Sequence, residues 1–80
     1  MTNTINAEID VNAYYFAGKE MKSFPRRISY GGRAVTFADG LRLQLQREGR
    51  LTYLYDMSSD DGATYRLRQD GNQWTLVGTR

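Results

Sequence analysis

The sequence predicts an all-β protein, an antiparallel meander of six to seven strands curled into a small barrel. Three observations carry this expectation. Residues 41–76 read as three hairpins laid end to end, with strand-like runs separated by Glu48-Gly49-Arg50, by residues 58–62 and by Asp70-Gly71-Asn72. Ile5, Ala7, Ile9, Val11, Ala13 and Tyr15 alternate with Asn6, Glu8, Asp10, Asn12 and Tyr14, the period of two expected of a half-buried strand. A sheet of this size also twists strongly enough to curl, so the first strand is expected to meet the last.

The 80 residues are read as one small domain, 1–80, in which roughly 60% of the unfolded chain's surface can be buried. Its N-terminal part, residues 1–23, is the least determined. Ile5, Ile9, Ala13 and Phe16 also lie near one face of a helix, but the asparagine and β-branched content makes a poor helix, and a strand is expected. Residues 17–23 form a connection. Pro25, the only proline, suits a first strand position or an edge, where its missing N–H costs no ladder bond.

Turn chemistry then sets the pairing. A two-residue Gly31-Gly32 loop places Ile28 opposite Val35, Arg27 opposite Thr36 and Ser29 opposite Ala34. Ala38-Asp39-Gly40, read as a three-residue loop, places Phe37 opposite Leu41 and Val35 opposite Leu43. A three-residue Glu48-Gly49-Arg50 loop pairs Leu45 with Tyr53, Leu43 with Tyr55 and Leu41 with Met57, and brings Arg42 to Asp56 as a cross-strand ion pair. A loop over 58–62 sets Tyr55 against Tyr65 and Tyr53 against Leu67, and a Gly71-Asn72 loop sets Leu67 against Leu76 and Gln69 against Trp74.

Because a one-residue slip moves every side chain to the other face, these loops together define a core. It comprises Ile28, Tyr30, Val35, Phe37, Leu41, Leu43, Leu45, Leu51, Tyr53, Tyr55, Met57, Tyr65, Leu67, Trp74 and Leu76. The opposite face carries Arg27, Ser29, Ala34, Thr36, Arg42, Gln44, Gln46, Thr52, Leu54, Thr64, Arg66, Arg68, Thr75 and Val77.

Composition narrows the chemistry. There is no cysteine and no histidine, so disulfides, thiolate nucleophiles, Cys/His zinc sites and histidine general bases are all excluded. A non-catalytic protein without cofactor or metal is expected. The acidic run from Asp56 to Gly62 fails as a calcium loop, since its glycine comes one position late and Leu67 stands where a bidentate glutamate is required. The N-terminus has neither the basic start nor the apolar run of a signal peptide, and no segment is long enough to span a bilayer, so a cytoplasmic location without a membrane partner is expected.

The net charge of +2 is small, yet eight of the nine arginines lie between Arg26 and Arg68 while the carboxylates gather near turns. Three functions fit this pattern. The favoured one is an interaction module that binds a protein or self-associates into a homo-oligomer, through a sheet edge or through the Arg/Thr-rich face with Leu54 and Val77. The second is a nucleic-acid-binding domain using Arg42, Arg66 and Arg68. The third is a small-ligand site in the barrel mouth near Tyr55 and Tyr65, where a phenol offers a polar handle on an apolar wall.

Overall fold

The computed structural model describes residues 3–80; the first two residues of the expected N-terminal segment lie outside the described residues. Six strands follow in order: β1 Asn3–Ala17, β2 Lys22–Tyr30, β3 Arg33–Arg47, β4 Arg50–Ser59, β5 Thr64–Asp70 and β6 Gln73–Thr79. Each pairs antiparallel with its sequence neighbours, and β1 pairs with β6, so the meander closes into a barrel. The N-terminal segment is the expected strand rather than a helix.

Two strands change partners midway, which lets so few strands close. Residues 3–9 of β1 pair with β6, and residues 10–17 pair with β2. The strand bends at irregularities in both ladders, one of them beside Asn6 at φ 54°. In the same way β3 pairs with β2 through Arg33–Thr36 and with β4 through Phe37–Arg47, turning at a bulge between Phe37 and Asp39. At that corner the Arg26 guanidinium donates to the Phe37 carbonyl at 3.1 Å and lies 4.1 Å from the centroid of the Tyr15 ring. That carbonyl lies just beyond the last β2–β3 bridge, at Thr36.

The core is Ile9, Phe24, Ile28, Val35, Phe37, Tyr55, Met57, Tyr65, Leu67, Trp74 and Leu76. A row of rings crosses it: Tyr15 stacks on Phe24 at 5.4 Å, Phe24 meets Tyr55 edge-on at 6.0 Å, and Tyr55 meets Trp74 at 5.1 Å. Edge-on and offset contacts at these distances suit the ring quadrupoles. The Tyr55 hydroxyl, pushed above its ordinary pKa chiefly by burial, donates to Gln69 Oε1 at 3.0 Å. Tyr55 and Tyr65 are therefore packing residues of the core, not walls of an open ligand site.

Two of the expected registers hold. Ile28 pairs with Val35 across Gly31-Gly32, and Leu67 pairs with Leu76 and Gln69 with Trp74 across Gly71-Asn72. The others need correction. There is no hairpin at Ala38-Asp39-Gly40, because β3 runs through it and Phe37 pairs with Ser59 instead of Leu41. Gly40 is not in the left-handed region. Its small size serves close approach, since a Cβ there would run into Met57 Sδ and stand 2.8 Å from the Asp56 carbonyl oxygen.

The β3–β4 loop has two residues, Glu48 at φ 53° and Gly49 at φ 76°, closed by the Arg47–Arg50 pair. Both central residues have the positive φ of the tight hairpin turn whose twist matches its strands. A glutamate in that conformation shortens the loop by one residue. Leu41, Leu43 and Leu45 then lie opposite Asp56, Leu54 and Thr52 on the outer face, while Gly40, Arg42, Gln44 and Gln46 lie on the inner one. The β4–β5 connection is displaced by two residues, pairing Tyr55 with Leu67 and Met57 with Tyr65, because Ser59 closes the turn through its N–H on the Ala63 carbonyl at 2.9 Å. A two-residue slip keeps every side chain on its expected face.

Gly40→Ala is expected to lose about 1–3 kcal/mol of stability, since the new methyl group must displace both the Met57 side chain and the β4 backbone. Urea unfolding of the two proteins measures this, and an unchanged midpoint would show that the corner yields freely.

A candidate interaction surface on the β3–β4 arm

The turn at Glu48-Gly49 lengthens β3 and β4 into an arm. The first half of β4 and the second half of β3 pair with each other, while β5 reaches only as far as Thr52 on β4. On the other side of β3, the bridges to β2 end at Thr36. Among the described residues, β3 beyond the bulge therefore has one bare edge.

Three rows cross the outer face of β3, β4 and β5: Leu41–Asp56–Arg66, Leu43–Leu54–Arg68 and Leu45–Thr52–Asp70. The apolar column faces water, with Leu41 75% exposed, Leu43 56% and Leu45 41%. Leu51 lies opposite Gln46, on the other face of the arm's end, and is 43% exposed. Isolated exposed leucines are ordinary; Leu41, Leu43 and Leu45 are contiguous on one face and lie beside the bare edge.

The polar column is internally satisfied. Arg66 donates from Nε to Asp56 Oδ1 at 2.7 Å and from Nη2 to Asp56 Oδ2 at 2.8 Å, a two-pronged pair. Arg68 Nε donates to Asp70 Oδ2 at 2.9 Å, and the Thr52 hydroxyl donates to Asp70 Oδ1 at 2.8 Å. The Arg66 hydrogen bonds hold the Asp56 carboxyl below its usual range, and the carboxylate in turn raises Arg66.

The sequence-derived candidates separate accordingly. Leu54, Arg66 and Arg68 share the outer face, with Leu54 directly between Leu43 and Arg68. Val77 lies farther round, at the β5–β6 irregularity, lining a shallow groove with Asp56, Thr64, Arg66 and Thr79. Arg42 does not join them. The one-residue slip turns it inward, where its Cζ sits 4.6 Å from the centroid of the Tyr53 ring, and Asp56 takes Arg66 as partner in place of Arg42.

Leu41, Leu43 and Leu45, assigned to the core from sequence, are instead exposed on the outer face, and Leu51, assigned to the core as well, is exposed on the other face opposite Gln46. The signal was in the sequence as Glu48-Gly49, which can serve as a two-residue turn when glutamate accepts a positive φ. Comparison with protein-family models, characterised proteins and solved structures finds no match for this chain.

The lowered pKa of Asp56 makes a signed prediction. Its pairing contributes stability above the unfolded carboxyl value near 3.9 and loses it as pH falls through the lower folded value. Asp56→Asn should therefore be less stable than the parent near neutrality, by no more than about 1 kcal/mol because both partners are half-exposed. The difference should vanish at low pH and shrink in high salt. Denaturant titrations across pH test this, and a gap that persists below the folded pKa would assign the loss to something other than the ion pair.

Proposed function

We propose that the chain is a non-catalytic protein-binding module that works through the β3 edge and the leucine face of the β3–β4 arm. The observation that carries this reading is the placement of Leu41, Leu43 and Leu45 in water beside backbone groups that no strand among the described residues pairs. A strand added at that edge would gain ladder hydrogen bonds from the backbone and apolar contact from alternate side chains, the two components of strand-addition recognition.

The supporting contrast is with the arginines. Arg66 and Arg68 already hold carboxylates, and Arg42 stacks on Tyr53. A phosphate backbone docking on the outer face would meet Asp56 and Asp70 beside those cations, so the nucleic-acid reading gains less from this arrangement. The phenols that burial perturbs, Tyr15 and Tyr55, are both raised, which moves them away from service as bases near neutrality. A cytoplasmic setting agrees with the lack of cysteine.

A photoreactive benzoylphenylalanine in place of Leu43, compared with the same group in place of Val77, tests the reading in purified protein and in extract of the source cells. Polypeptide adducts at position 43 that are absent at position 77 are expected. Nucleic-acid adducts, or adducts that do not distinguish the two positions, would overturn it.

A further inference from the structure

We propose that the occupant of the β3 edge is a second copy of this chain, with the two β3 strands paired antiparallel about a two-fold axis through Leu43. This rests on the protein-binding reading above and names the partner.

The backbone selects the possible registers. In the two-residue hairpin, the closing Arg47–Arg50 pair directs the Arg47 N–H and C=O toward β4, and alternate residues back along β3 do the same. Gly40, Arg42, Gln44 and Gln46 therefore direct theirs to the bare edge. Hydrogen bonding between two copies must join members of this set, so the strands can meet only in alternate registers.

The side chains then choose one of these. Read along its outer face, the segment runs Asp39, Leu41, Leu43, Leu45, Arg47, apolar in the middle and oppositely charged at its ends. With the axis through Leu43, that residue meets its own copy, Leu41 meets Leu45 of the second copy, and Asp39 meets Arg47 of the second copy. Arg42 pairs with Gln44 and Gly40 with Gln46 in the hydrogen-bonded positions. The leucines occupy the non-hydrogen-bonded pairs, where side chains of facing strands lie closest. Moving the axis to residue 42 would place Asp39 against Leu45, and moving it to residue 44 would place Leu41 against Arg47. Only the central register matches every pair.

Two further features agree. Asp39 and Arg47 are both exposed, and among the described residues neither is in an ion pair within the chain. Arg47 also faces Arg50 across the turn, a like-charge pair that a carboxylate from outside would relieve. The bare stretch contains no proline and no lysine, and its inner-face arginine lies folded over Tyr53.

The test is light scattering from micromolar to millimolar concentration on the parent, on D39R, on R47D and on an equimolar mixture of the two variants. Each variant alone sets like charges opposite each other at both ends of the pairing, whereas the mixed pair restores two opposite-charge contacts. The parent should approach twice the 9.2 kDa chain mass, each variant alone should show a dimer Kd raised roughly tenfold or more, and the mixture should recover the parent's behaviour. In the parent, the Arg42 and Gln44 amides should also gain hydrogen-exchange protection as concentration rises. Circular dichroism establishes that both variants fold.

A parent that stays monomeric at all concentrations, or variants that dimerise like the parent, would overturn this arrangement. If the parent is monomeric and the group at position 43 captures a different polypeptide, the second copy is ruled out and the protein-binding reading stands. If it captures none, both fall.

Discussion

Closing a sheet of few strands forces a stagger, and that stagger is the constraint from which the rest of this structure follows. A short barrel must tilt its strands and offset their ladders, and here β1 and β3 each serve two neighbours with different halves. The cost of stagger is overhang. Where β3 leaves β2 at Phe37, the Arg26 side chain takes the first uncovered carbonyl, and Tyr15 supports the guanidinium from below. Beyond that point no strand or side-chain hydrogen bond reaches the edge from among the described residues. The barrel's interior and its bare edge are thus two results of one geometry.

Much of the fold was legible in the sequence because two independent regularities agreed. Alternation in residues 5–15 specifies a strand, the glycine-bearing turns at Gly31-Gly32 and Gly71-Asn72 specify pairing, and each is realised. Turn chemistry failed where a residue type did not declare its conformation. Glu48 adopts a positive φ that glutamate seldom takes, and Gly40 serves close packing against Met57 where its place suggested a left-handed turn position. The leucines then compounded the error. A core assignment for Leu41, Leu43 and Leu45 follows from the ordinary burial preference of leucine, so the erroneous three-residue loop looked consistent with hydrophobicity. In this arm, hydrophobicity and position disagree.

That disagreement bears on function as well as on register. Arg66 and Arg68 stand close to Leu54 as expected, yet their charge is answered locally by Asp56 and Asp70. Asp70, two residues from Arg68 on the same strand, was visible in the sequence; the Asp56–Arg66 pairing depended on a β4–β5 register that the sequence placed two residues away. The separation of Arg42 from the other two depended on the β3–β4 register. A face on which Arg66 and Arg68 read as free cations in one alignment becomes a set of neutralised pairs in the other.

The energetic case for association comes from what the arm gives up. Burying a leucine contributes about 1.5–3 kcal/mol relative to leaving it in water, and the arm leaves most of that contribution unused at Leu41 and Leu43. Turning the leucines inward by one residue would bring them toward Tyr53 and Tyr55, but it would also place Arg42, Gln44 and Gln46 outside and remove the cation–ring contact over Tyr53. The positive φ of Glu48 is itself unfavourable for a residue with a side chain. A chain that adopts a costly turn and leaves leucines in water has its apolar surface and its unpaired backbone in the same place. Any partner strand that covers the edge supplies hydrogen bonds and apolar contact together, and because it binds only the folded arm, its binding also stabilises the fold.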